Sequence, residues 1–186
     1  MQGLPVTLFL SLCALGLSAP VALANPAATG GAAYLDPAAA PATVPGDTAA
    51  LMAGRAVAPA GAPRAVKGAI AAANQIVGKP YVYGGGHTLA RAVAAGYDCS
   101  GTVSHALRGA RLLKAPLDSS SFLRWGRAGR GRWITVYTNP GHAFAVIAGL
   151  RLDTSAAGDP KGASGPRWRP VLRSTRGYQA RHPKGY

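Results

Sequence analysis

The chain contains no glutamate. Its six acidic residues are all aspartates, set against 20 lysines and arginines, for a formal net charge of +14. Cysteine is nearly absent as well: Cys13 lies in an apolar leader, which leaves Cys99 alone in the remainder. A single thiol cannot close an internal disulfide, so stapling is excluded as its purpose. One cysteine with scattered histidines (His87, His105, His142 and His182) has no zinc-ligand spacing, so neither metal nor other cofactor is expected. Charge is missing from the whole leader, and internal repeats are missing throughout. What is present is a lone thiol in a telling context, Tyr97-Asp98-Cys99-Ser100-Gly101, at the expected start of a helix. The partial positive charge of a helix N-terminus favours thiolate there, so Cys99 reads as a nucleophile.

Residues Leu4 to Ala24 are almost wholly apolar and end in Ala22-Leu23-Ala24, an A-x-A cleavage pattern, which predicts a signal peptide over 1–24. An uncleaved membrane anchor is the alternative, but Pro5 and Pro20 shorten the helical run below the ~20 residues of a span. Leu12 before Cys13 argues against lipidation. The mature protein is therefore expected outside the cell, in the cell wall or periplasm, with no stable membrane span after cleavage. Residues 25–64 are mostly Ala, Pro and Gly and are expected as a linker or propeptide, since such a segment has little apolar surface to bury. The domain is then expected over 65–186, large enough for one core.

All of the net charge falls on that domain, where 18 Lys and Arg face four Asp. Such an excess suits anionic surroundings, and with an export signal a wall polymer is preferred to nucleic acid as partner. Biased codon usage is a competing source of the arginines.

Apolar spacing predicts a helix over 66–77, stopped by Gly78 and Pro80, and a second over 100–113 with Asp98 near its cap. Between them Pro80-Tyr81-Val82-Tyr83 runs into a glycine turn. Residues 114–131 read as loop. Strand character follows at Trp133–Thr138 and His142–Ala148, with a reversal at Gly149-Leu150 into Arg151–Thr154 and one more strand near Trp168–Leu172. The order predicts an α+β domain, its nucleophile helix packed on an antiparallel sheet.

A cysteine nucleophile needs a base, and the base needs an orienting partner. His105 lies about 240° round the helix from Cys99 and cannot face it. His87 and His182 fall where no regular element is expected to hold them. His142, at a strand start after Asn139-Pro140-Gly141, is the candidate base; a structural histidine is the alternative. Asp153, eleven residues on, returns close to His142 on the neighbouring strand and is the candidate orienter, or else a turn aspartate capping the loop that follows.

Taken together, Gly78-Lys79-Pro80-Tyr81-Val82-Tyr83-Gly84-Gly85, Asp98-Cys99-Ser100-Gly101 and Gly141-His142-Ala143 resemble the NlpC/P60 cysteine peptidases in order and spacing. The resemblance covers residues 66–156. It implies a papain-like α+β fold and cleavage of peptide bonds in peptidoglycan. By the same resemblance Cys99 is the nucleophile, His142 the base and Asp153 the third polar residue. Tyr81 lines the site near the oxyanion, and Asp98 and Ser100 stand where a substrate amine can be met. The sequence departs from the family pattern in its aspartate for a common third histidine, in Tyr83 for a common tryptophan, in the long connection over 86–96 and in the arginine-rich tail. A thiol acyltransferase of similar fold and a non-catalytic, basic wall-binding protein are the competing functions.

Overall fold

The computed structural model describes residues 43–90, 92–159 and 162–186. The expected signal peptide, over 1–24, and the first part of the expected linker, 25–42, lie outside the described residues. Residues 43–64, expected to complete that linker, instead belong to the folded unit. Strands β1 (Thr43–Val44), β2 (Ala50–Met52) and β3 (Arg55–Pro59) form a small sheet in the order β1-β3-β2, with β1 parallel and β2 antiparallel to β3. The physical reason is that small side chains suffice when backbone groups do the joining. Ala49, Ala56, Ala58 and Ala62 are buried, and the Ala49 N–H donates to the Ala148 carbonyl at 2.8 Å. The Asn74 side chain accepts from the Ala56 N–H (3.0 Å), donates to the Ala56 carbonyl (2.8 Å) and accepts from the Trp168 indole N–H (2.8 Å).

Helix α1 (Arg64–Ile76) buries Val66, Ala69, Ile70, Ala73 and Ile76, one face at helical spacing. Helix α2 (Cys99–Gly109) buries Val103, Ala106 and Leu107 and ends four residues earlier than its apolar pattern predicts. The two helices meet closely at glycine: a Cβ on Gly109 would lie 2.2 Å from that of Ala72. A short helix, α3 (Ser119–Phe122), and strand β4 (Arg127–Ala128) occupy part of the expected loop.

The main sheet is antiparallel throughout, in the order β4-β9-β5-β6-β7-β8. Its remaining strands are β5 (Ile134–Asn139), β6 (His142–Ile147), β7 (Leu150–Asp153), β8 (Arg167–Arg169) and β9 (Gln179–His182). Ile134, Val136, Ala143, Ala145, Ile147 and Leu152 join the helices in one hydrophobic core. Strand alternation puts Thr135, Tyr137, His142, Phe144, Val146, Arg151 and Asp153 on the opposite face. The architecture is α+β. No helix among the described residues is long and apolar enough to cross a membrane.

Candidate active site

Cys99 is the first residue of α2, and Asp98 is its cap: the Asp98 carboxylate accepts the Gly101 N–H at 2.7 Å. The Thr102 N–H goes to the Asp98 carbonyl, so the first-turn donors left over are the N–H groups of Cys99 and Ser100. The preceding glycine turn packs directly on this helix start. The other Asp98 oxygen accepts the Gly84 N–H at 3.0 Å. A Cβ on Gly101 would sit 2.0 Å from the Gly85 carbonyl oxygen, and one on Gly86 would sit 2.4 Å from the Tyr97 ring. Gly86 also has a φ of +83°, which an L side chain adopts only with strain. Gly101→Ala is therefore expected to force backbone against backbone and cost at least about 1–3 kcal/mol, read as a lowered urea midpoint together with reduced thiol reactivity.

His142 is placed by local hydrogen bonding at the head of β6. The Asn139 side-chain oxygen accepts the N–H groups of Gly141 (2.9 Å) and His142 (2.8 Å), closing the Asn-Pro-Gly turn. Ser119 Oγ donates to the Pro140 carbonyl at 2.9 Å and ties that turn to α3. The hairpin from β6 to β7 turns at Ala148 (φ +46°) and Gly149 (φ +84°), one residue before the predicted position. Ile147 then pairs with Leu150 and Ala145 with Leu152, so Asp153 emerges on the same face as His142. The outcome is a 2.9 Å hydrogen bond between His142 Nε2 and Asp153 Oδ1. With Nε2 occupied, Nδ1 is the ring nitrogen left for the sulfur.

The three groups perturb one another in the directions a thiolate–imidazolium pair requires. Burial disfavours the Cys99 thiolate, but the hydrogen bond to His142, the Ala143 N–H and the imidazolium charge outweigh it, and the pKa falls below the ordinary thiol value. Burial likewise disfavours charged His142, yet the hydrogen bonds and negative charges of Asp153 and Cys99 push its pKa up to about 9. Asp153, 1% exposed, is lowered against the effect of its burial by His142, the Ser155 N–H and Arg173. Tyr81 is raised, by partial burial and then by the negative charge of Cys99, so its hydroxyl keeps its proton beside the sulfur.

Cys99, His142, Asp153 and Tyr81 thus come together as the sequence suggests. Asp98 and Ser100 flank the thiol, but their polar groups are engaged inside the protein. Asp98 Oδ1 accepts from Ser100 Oγ (3.2 Å) and from His87 Nε2 (3.0 Å) in addition to the helix N–H. Both residues brace the helix start. His87, which has no strand or helix to hold it, is instead held by that carboxylate. His105 packs edge-on against Tyr97, with ring centroids 5.3 Å apart, and His182 lies on β9 with Nδ1 donating to the Gly129 carbonyl.

Two residues of the arginine-rich tail complete the site and were not foreseen. Arg173 donates to Asp153 Oδ2 at 3.2 Å and lies over the rings of Phe144 and Tyr178, 5.4 Å from each centroid. The Tyr178 ring meets His142 edge-on at 6.3 Å. The sequence signal for them was only an excess of arginine without periodicity.

No protein-family model matches the chain, and no curated protein matches it. Two chains of solved structures do. One is the structure of Rv1477, a hypothetical invasion protein of Mycobacterium tuberculosis, 24% identical with a TM-score of 0.44. The match covers 63% of this chain and 62% of that one, so the chain spans less than two thirds of that protein's length. Function is therefore read from the geometry of the site itself.

Proposed function

We propose that the domain is a cysteine peptidase of the NlpC/P60 type that hydrolyses peptide bonds in the stem peptides of peptidoglycan. The observation that carries this reading is a buried thiol at a helix N-terminus, its pKa lowered by a neighbouring imidazole whose Nε2 is hydrogen-bonded to a buried aspartate. The P-Y-x-x-G-G segment, the D-C-S-G helix start and the G-H-A strand start carry the resemblance, and each contributes a group to this site. The export signal expected from the apolar leader and the basic charge suit an enzyme secreted to the wall or periplasm, with an anionic polymer as the proposed partner.

In the proposed reaction, Cys99 Sγ attacks the scissile carbonyl carbon and forms a C–S bond, while the carbonyl oxygen becomes an oxyanion. The Cys99 N–H and the Tyr81 hydroxyl are the donors that receive it. His142 Nδ1 gives its proton to the leaving amine as the C–N bond breaks. Water then attacks the thioester, neutral His142 takes the water proton, and the departing thiolate restores the ion pair. Asp153 keeps the imidazole in one tautomer throughout.

Incubation with purified muropeptides, followed by mass spectrometry, tests the reading directly. Hydrolysed stems that vanish with Cys99→Ala are the expected result. A new conjugate with an added amine would indicate an acyltransferase, and unchanged muropeptides with intact wall binding a non-catalytic protein. Tyr81→Phe is expected to lower kcat by about 10²-fold with KM little changed, since the lost hydroxyl matters only once the oxyanion forms.

A further inference from the structure

Beside the catalytic pair, on the same face of the sheet, lies a cavity of about 160 Å³. One water needs roughly 10–15 Å³ by the same measure, so the space admits a group of several heavy atoms. It is lined by the aromatic residues Trp133, Tyr137 and Phe144 and by three arginines, Arg130, Arg132 and Arg173, with the Arg132 guanidinium over the Trp133 ring. No carboxylate lines it among the described residues. The nearest acids are already matched: Asp47 faces Arg132 at 3.7 Å, both largely exposed, and Asp153 lies under Arg173. Thr135, 5% exposed, also lines it; its Oγ1 accepts the Gly131 N–H at 3.1 Å, and its hydroxyl is a donor as well. Phe144 links this cavity to the catalytic centre, because its ring lies 6.3 Å from that of His142.

Three arginines stand here against two aspartates, Asp47 on Arg132 and Asp153 on Arg173, so the lining keeps an excess of positive charge; with the Thr135 hydroxyl it forms a receptor for an oxyanion, since guanidinium pairs with carboxylate or phosphate through charge-assisted hydrogen bonds. The aromatic lining suits the carbon skeleton that carries such a group. We infer that this cavity is an oxyanion subsite that takes a carboxylate or phosphate group of the wall polymer, one aromatic ring away from the catalytic histidine. The identity of the polymer rests on the peptidase reading above; the affinity of the pocket for an oxyanion does not. Arg173 belongs to both sites, so an occupied subsite holds the polymer where Asp153 and His142 work.

The test uses the full chain carrying Cys99→Ala, which binds without turnover. Titration with inorganic phosphate and with acetate, followed by NMR, is expected to shift the Trp133 indole and Thr135 amide signals. Arg130→Gln with Arg132→Gln is expected to weaken that binding about tenfold or more. A control removing the same charge elsewhere, Arg64→Gln with Lys114→Gln, is expected to leave it unchanged. Equal weakening by the control, or no shift at Trp133 and Thr135, overturns the subsite in favour of diffuse attraction.

Pelleting on purified wall then separates the two sources. Loss of binding after carboxyl amidation identifies a stem carboxylate, and loss after removal of phosphodiester polymers identifies phosphate. Binding that survives both treatments refutes the role in polymer capture. If the unsubstituted enzyme cleaves no muropeptide while the phosphate shifts persist, the peptidase reading fails and the subsite stands.

Discussion

Cys99→Ala is expected to abolish muropeptide cleavage, a loss on the order of 10⁶ in kcat where a nucleophile of a coupled set is removed. Little else should change. The side chain is small, and the helix start is held by Asp98, whose hydrogen bonds to Gly84, Gly101, Ser100 and His87 do not involve the sulfur. A stability change of no more than about 1 kcal/mol is expected, so circular dichroism and urea midpoints separate lost chemistry from lost folding. Alkylation of the native thiol gives an independent readout. Because His142 and the Ala143 N–H favour the thiolate, Cys99 should react with iodoacetamide at pH values where an ordinary thiol is still protonated. His142→Ala should move that reactivity to higher pH. A native alkylation profile that matches a free cysteine would sink the ion pair.

Asp153→Asn is the second large effect, and it combines catalysis with stability. An amide at this position permits the wrong histidine tautomer and removes the charge that holds the imidazolium, a change that costs about 10⁴ in kcat in a comparable triad. The His142 pKa of about 9 predicts an alkaline limb near that pH, where the ring loses the proton meant for the leaving amine. Without Asp153 that limb should move towards neutrality. As this pair titrates together, the limbs belong to the pair and not to either residue alone.

The stability cost comes from Arg151, which is fully buried. Its guanidinium nitrogens have no hydrogen-bond partner among the described residues, and its Nε lies 3.6 Å from Asp153 Oδ2. Removing the carboxylate leaves a buried cation without its nearest counter-charge, a loss of roughly 3–5 kcal/mol.

The signs of the pH dependence follow from the two shifts. The lowered pKa of Asp153 contributes stability above the unfolded carboxylate value, and this is lost as pH falls through the folded value. The raised pKa of His142 contributes stability that is full below about 6.5 and is lost as pH rises through about 9. Asp153→Asn should flatten both flanks of the stability–pH curve. An alkaline limb and a urea midpoint both unchanged in Asp153→Asn would remove Asp153 from the site.

The elements with dense apolar patterning were legible in the sequence. Val66, Ile70 and Ala73 mark α1 on one face, and β5 and β6 start within one residue of their predicted positions. Cys99, His142 and Asp153 were legible because few residues of their chemistry compete with them. Elements held by backbone pairing were not legible. Strands β1 to β3, of two, three and five residues, read Thr-Val, Ala-Leu-Met and Arg-Ala-Val-Ala-Pro, too short for a sustained apolar stripe, and β9 reads Gln-Ala-Arg-His, with no alternation to reveal it. His87, Arg173 and Tyr178 could not be placed for a related reason: each meets its partner across a loop, and no local spacing encodes that meeting.

The last of these partners has a consequence for timing. Arg173 and Tyr178 follow Cys99, His142 and Asp153 in the chain, and β9, just after them, closes against β5 through Val136, Tyr137 and Thr138. During synthesis the thiol, the imidazole and the aspartate all leave the ribosome before the guanidinium and ring that brace them. Until β9 docks, the nascent domain holds its thiol in an unfinished setting, because the groups that brace Asp153 and His142 are made after both of them.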